Sequence, residues 1–338
     1  MPWLVLLLAL PIILAGAELF TNGVEWVGEG FGLSEGAVGG VLAAIGTALP
    51  ETILPIVAIF GGHASGDDIG IGAILGAPFM LTTLAMFVLA VTVVIVSRRG
   101  GRGEELEHDP GVLAQDLRYF IVMYALALVA GLLHIKAVNI VLAVGLFGGY
   151  ALYVRRHFKG PGEKVEEAEA RGEVRALYLD RLLRRPGTPT IPVSVVQTLM
   201  GLGVILGGAQ VFVGAINDLS ERFSISHLVF ALLVAPIATE LPEAMNASVI
   251  WARRGKDVLA LGNITGAMVF QATFPVAIGL LFTPWHLDLA AGVAAGIALL
   301  AALILLLTVR VRGGLNAKLL LLQGVLYLAY VIFVFARA

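Results

Sequence analysis

Two stretches of this 338-residue chain place carboxylates where they are costly. Gly46-Thr47-Ala48-Leu49-Pro50-Glu51 and Ala238-Thr239-Glu240-Leu241-Pro242-Glu243 stand 192 positions apart, each inside a long apolar run. Thr47 and Glu51 are one helical turn apart, as are Thr239 and Glu243, so each pair shares a helix face, and Glu240 shares the second one. Proline has no N–H, so Pro50 leaves the Gly46 carbonyl, and Pro242 the Ala238 carbonyl, without a helical donor. The two copies together offer carboxylates, hydroxyls and carbonyls, an all-oxygen set. Like charges crowded together disfavour ionisation, and a bound cation relieves that repulsion. Ca2+ takes 6–8 oxygen ligands in flexible geometry, whereas Mg2+ demands a rigid octahedron. Transition metals favour His or Cys, and neither motif holds one. The oxygen set suits Ca2+ or Na+.

Composition says what must position these groups. Of the residues, 59% are hydrophobic and 14% charged, and mean hydropathy is +0.93. A soluble domain carries about 25% charged residues, so this is an integral membrane protein. A carboxylate at mid-membrane costs about 2.5–3.5 kcal/mol on insertion scales and usually marks an ion path. Neither alternating periodicity nor cysteine is present, which excludes a closed β-barrel, disulfides and thiolate metal sites. Met1-Pro2-Trp3 lacks the basic start of a signal peptide, so the first apolar segment is expected to be retained as a span.

Apolar segments lie at about 2–25, 36–60, 71–97, 117–134 and 137–154, then at about 191–216, 227–251, 258–282, 287–309 and 319–336. The expected fold is all-α, with ten transmembrane helices. With the N-terminus outside, 19 of the 22 Lys and Arg residues fall in inward-facing loops; Lys136, Arg222 and Arg337 are the exceptions. That bias predicts a multi-pass protein of the cell (inner) membrane with both termini outside. Residues 155–190 form a Glu- and Arg-rich connection, read as a solvated cytoplasmic linker with a surface helix between Glu163 and Arg185.

The repeat extends beyond the motifs. Gly16-Ala17-Glu18-Leu19-Phe20 corresponds to Gly208-Ala209-Gln210-Val211-Phe212 at the same offset. Past the motif the offset becomes 190, where Gly72-Ala73-Ile74-Leu75-Gly76-Ala77 corresponds to Gly262-Asn263-Ile264-Thr265-Gly266-Ala267. The domains are therefore expected to be 1–154, 155–190 and 191–338, two five-helix repeats and a linker. An odd number of spans per repeat inverts the second half, the design of many secondary transporters, with the site near the midplane.

These residues resemble the cation/calcium exchanger superfamily, typified by sodium/calcium exchangers. Its pattern is Gly-Thr-Ser-Leu-Pro-Glu followed by Gly-Asn-x-x-Gly-Ser-Asn, once per half, and residues 46–51, 72–76, 238–243 and 262–266 carry it here. The resemblance covers nearly the whole chain. It implies that Glu51 and Glu243 are Ca2+ carboxylates, with Thr47, Thr239 and the carbonyls of Gly46 and Ala238 serving Na+ and Ca2+. The departures are specific. The family serine is Ala48 in one copy and Glu240 in the other, the downstream serines are Ala77 and Ala267, and the polar residue beyond is Leu81 or Gln271. Glu240 and Gln271 join the candidate ligands.

Other residues leave alternatives open. Glu18, opposite Gln210 in the repeat, either lines the ion path or hydrogen-bonds a neighbouring helix. Asn263 is read as a packing or supporting group, and the histidines, including His63, His227 and His286, fall at loops or boundaries. Glycines are expected to line helix contacts, and in the first and sixth spans to permit sliding. The expected function is exchange of Ca2+ for Na+ by alternating access at a midplane carboxylate site. Ca2+/H+ exchange is the alternative, favoured by the added Glu240; a cation channel is the reading from a different class. No metal-holding His or nucleophile sits at membrane depth to suggest an intramembrane hydrolase. The expected partners are the lipid bilayer and the transported cations, not nucleic acid, with no cofactor, and the chain is compatible with acting as a monomer.

Overall fold

A computed structural model describes residues 2–31, 48–100, 102–157, 176–183 and 189–337, with backbone alone at 157 and 241–250. In chain order the elements are α1 (Pro2–Gly30), α2 (Leu49–Phe60), α3 (Gly66–Met80), a π-helical turn (Leu81–Ala85), α4 (Met86–Arg98) and β1 (Glu105–Leu106). There follow α5 (Pro110–Leu133), α6 (Lys136–His157), α7 (Tyr178–Leu182), α8 (Ile191–Phe223), α9 (His227–Arg253) and α10 (Asp257–Gln271). Last come α11 (Phe274–Phe282), α12 (Leu289–Arg312), β2 (Leu315–Asn316) and α13 (Ala317–Phe335).

Among the described residues, eight helical stretches are long and apolar enough to cross a membrane. The two expected spans outside that set are the ones that carry the motifs. The first is described from Ala48 as the short apolar helix α2, and α9 is apolar over His227–Glu240. Pro50 lies in the first turn of α2, where a missing N–H costs nothing, while α9 runs as a helix through Pro242. Gly46 and Thr47 lie outside the described residues. Of the expected surface helix in the linker, the described part holds the short α7.

Local chemistry sets the helix ends. Asp109 caps α5 by accepting from Gly111 and Val112 N–H at 2.7 and 3.0 Å, and Pro110 fits the first turn. Asp288 caps α12 through Ala291 N–H at 2.7 Å, and Gly313, at φ 66°, ends it in the left-handed conformation. Outward-facing Leu7, Leu8, Val141, Val144, Val325 and Leu328 are exposed, as lipid-facing residues are.

The chain divides into two compact units that do not follow its halves. The first contains 1–63 and 155–219, the second 64–154 and 220–338. In the first, α1 and α8 run antiparallel with their backbones nearly touching. A Cβ on Gly16 would meet the Ile205 nitrogen at 2.9 Å, and one on Gly23 the Thr198 nitrogen at 2.9 Å. Gly201 would meet the Phe20 nitrogen at 2.5 Å, and Gly208 the Ile13 side chain at 2.8 Å. Small residues permit this approach, as they do between membrane helices generally.

In the second unit α3 packs against α9. Cβ atoms on Gly72 and Gly76 would strike the carbonyls of Leu228 and Leu232. Pro236 deprives the Leu232 carbonyl of its helical donor, so Gly76 lies against a carbonyl that its own helix leaves free. Tyr124 donates to the Leu75 carbonyl at 3.0 Å, tying α5 to the same helix. At one end, the β1–β2 ribbon pairs Glu105 with Asn316 and Leu106 with Leu315. Beside it Arg102 makes a bidentate pair with buried Asp257 and reaches the Ala252 carbonyl at 3.0 Å. That hydrogen bond holds the Arg102 guanidinium above its ordinary pKa.

Candidate cation site

Glu51 sits in the first turn of α2, and only 7% of it is exposed. Beside it Thr52 returns its hydroxyl to the Ala48 carbonyl at 2.8 Å. In the second copy Ala238, Thr239 and Glu240 are all buried, Glu240 at 5% exposure. Thr239 donates to the Ala235 carbonyl at 3.2 Å, back along its own helix. Glu243 belongs to α9, but its side chain lies outside the described residues.

The structure brings together two of the residues that depart from the family pattern. Gln271, buried at the last position of α10, donates its amide to a carboxylate oxygen of Glu240 on α9. The added carboxylate and the polar residue after the downstream motif are therefore partners. An amide suits this place, because it can donate to an ionised carboxylate and can also accept from a protonated one.

Both downstream helices lose their regularity at corresponding places. After α3 the chain makes a π-helical turn over Leu81–Ala85, and after α10 it breaks at Ala272–Thr273 before α11. Thr83 and Thr273 stand 190 positions apart and do the same thing. Thr83 donates to the Phe79 carbonyl at 2.5 Å, and Thr273 to the Val269 carbonyl at 2.7 Å. Such back-bonds satisfy carbonyls that an irregular helix frees, and π-turns recur at functional sites. Leu81, the counterpart of Gln271, is buried and apolar.

Glu18 accepts from the Tyr178 hydroxyl at 2.6 Å. Gln210 donates to the Gly61 carbonyl at 3.4 Å and meets the His63 imidazole at 3.0 Å. Asn263 is half-buried. Sequence reasoning missed Asp116. It is buried in α5 and accepts from the Tyr153 hydroxyl at 3.0 Å and the Thr265 hydroxyl at 2.7 Å. The expected span began at 117, which left this carboxylate at a helix end. The signal was Asp109-Pro110, a cap and first-turn proline that start the helix earlier.

Long apolar helices, with Glu51 and Glu240 buried in two of the shorter apolar stretches, are those of a multi-pass membrane protein. The chain belongs to the sodium/calcium exchanger protein family, whose model matches residues 1–158 and 193–336. It is 24% identical over 334 residues to the putative antiporter CaxA of Alkalimonas amylolytica, covering 96% of this chain and 95% of the relative. It is 26% identical to the uncharacterized membrane protein MJ0091 of Methanocaldococcus jannaschii, covering 98% and 95%. Among solved structures, the H+/Ca2+ exchanger CAX matches 98% of this chain and 81% of its own at TM-score 0.70 and 18% identity. The sodium-calcium exchanger NCX_Mj matches 98% and 99% at TM-score 0.54 and 22% identity. At those identities the two structures share the fold, and they do not discriminate between coupling ions.

Proposed function

We propose that this protein is a secondary active antiporter that exchanges Ca2+ for Na+ by alternating access, with Glu51 and Glu243 as the carboxylates of the transported Ca2+. Thr47, Thr239 and the carbonyls of Gly46 and Ala238 complete the oxygen set. The observation that carries the reading is the burial of Glu51 and Glu240 within apolar helices of a chain that belongs to an exchanger family. Carboxylates so placed are costly unless a cation or proton compensates them, and competition between cations for the same oxygens is what couples their fluxes. The matched irregularities at Leu81–Ala85 and Ala272–Thr273 support two repeats of one five-helix design. The Lys and Arg bias supports outside termini and placement in the cell membrane.

A second reading is exchange of Ca2+ for H+, and one observation favours it. Glu240 replaces a serine of the family pattern, and its partner Gln271 serves the protonated and the ionised carboxylate equally. Uptake of Ca2+ into proteoliposomes separates the readings. A Na+ gradient at equal pH drives uptake in the first, and a pH gradient without Na+ drives it in the second. Uptake driven by neither gradient sinks the antiport reading for Ca2+, and flux that needs no counter-ion points to a channel.

A further inference from the structure

The β1–β2 ribbon joins two connections that lie far apart in the chain. It sets Glu105, from the segment before α5, directly across from Asn316 at the start of α13. Around this pair lies a cavity of about 360 Å3, within the size range of ligand pockets, with Glu105, Arg312, Asn316, Lys318 and Leu319 in its lining. Its charged groups are unequally engaged. Lys318 pairs with Glu104 at 2.7 Å. Asn316 accepts from the Lys318 N–H at 2.9 Å and keeps its amide NH2 to donate. The Arg312 guanidinium and the Glu105 carboxylate make no hydrogen bond or ion pair with any described residue. One free cation and one free anion therefore line the same cavity without closing on each other.

The place of the cavity in the fold points to a lipid. It stands where α12 ends and α13 begins, at the level where two apolar spans meet water. Leu319, in its lining, is followed on the same face of α13 by Leu322 and Leu326. Leu322 is 44% exposed and Leu326 partly so, while Val311, beside Arg312, is 80% exposed. An apolar track thus runs from the cavity along the span, where an acyl chain lies once its headgroup fills the cavity. Basic pockets at the cytoplasmic ends of spans take anionic headgroups. Here the free Glu105 changes the choice, because a phosphate alone would leave that carboxylate without a cation.

We propose that this cavity binds a membrane phospholipid whose headgroup carries both a phosphodiester and a primary ammonium, the chemistry of phosphatidylethanolamine. Arg312, with the Asn316 amide beside it, takes the phosphate oxygens, for which the guanidinium fork is suited. Glu105 accepts from the ammonium, which brings both charge and N–H donors. A choline headgroup brings the charge without the donors, and a glycerol headgroup brings only neutral hydroxyls. The site lies on the side that the Lys and Arg bias assigns to the cytoplasm. Its occupant does not depend on which ion the protein exchanges.

Native mass spectrometry of the purified full chain tests this, with phosphatidylethanolamine, phosphatidylcholine and phosphatidylglycerol of identical acyl chains as titrants. The wild type should bind one phosphatidylethanolamine about tenfold more tightly than either of the others, the difference that one charge-assisted hydrogen bond makes. R312Q should weaken phosphatidylethanolamine by about tenfold or more and the other two as well, since all three share the phosphate. E105Q should abolish the preference for phosphatidylethanolamine and leave phosphatidylglycerol bound at least as tightly as in the wild type. A merely structural lesion would weaken all three lipids together. Both residues are exposed, so the lipid-free variants should melt at the wild-type temperature. Free phosphoethanolamine, which lacks the acyl chains, should fail to displace the lipid at equal concentration. Equal affinity of the wild type for the three lipids overturns the proposal without recourse to any variant. A preference that survives in E105Q overturns it too, and displacement by free phosphoethanolamine would assign the cavity to a soluble zwitterion instead of a lipid.

Discussion

The two motif copies differ locally, with Pro50 in the first turn of α2 and Pro242 inside α9, while the helices that follow them share a backbone plan. Each is followed by a helix that loses regularity at the same repeat position, and each irregularity is closed by a threonine bonding four residues back. In the first copy the neighbouring positions are apolar, Ala48 and buried Leu81. In the second they are Glu240 and Gln271, hydrogen-bonded to each other. Backbone irregularity is thus the shared part, and the polar pair belongs to one half only. A repeated sequence pattern does not require repeated side chains, because the helix breaks need only local hydrogen bonds, whichever residues stand beside them.

The most severe way to sharpen the comparison is to remove the residues that the copies share. E51Q and E243Q should each lower Ca2+ exchange by about a hundredfold or more, as expected for loss of a charged ligand, with melting temperatures near wild type. Wild-type exchange in either variant would move the site elsewhere. Next is to make the second copy like the first. Q271L leaves the buried Glu240 carboxylate short of a donor and should cost about 1–3 kcal/mol of stability, read by thermal melting in detergent. E240A/Q271L, which removes both partners, should recover much of that loss, so the two changes are non-additive. Additive losses would mean that the pair is not coupled. The smallest effect tests what the copies share: T83V and T273V should each cost about 1 kcal/mol, and by similar amounts.

Much of this was legible in the sequence. Repetition of Leu-Pro-Glu at a fixed offset pointed to the motif helices, and apolar run length located most spans within a few residues. The asymmetry of Ala48 with Glu240 and of Leu81 with Gln271 was visible as well, since it rests on residue identity. Their pairing was not, because residues on different helices carry no mark of which faces meet. Asp116 was missed for a related reason: a carboxylate near a span end looks solvated until its hydroxyl partners on α6 and α10 are known. The docking of α7 onto α1 and α8 was hidden because Glu- and Arg-rich composition reads as solvent-exposed, while the contact depends on Tyr178 and two backbone N–H groups. The compact units also cut across the sequence halves, and no local pattern announces that.

The central claim is that the glutamates of both copies serve one Ca2+ ion. Equilibrium binding of Ca2+ to the purified protein, in wild type and in E51Q and E243Q, tests it most directly. The account predicts one high-affinity Ca2+ per wild-type chain and its loss in either single variant. Two sites in the wild type, with one surviving in each variant, would contradict it.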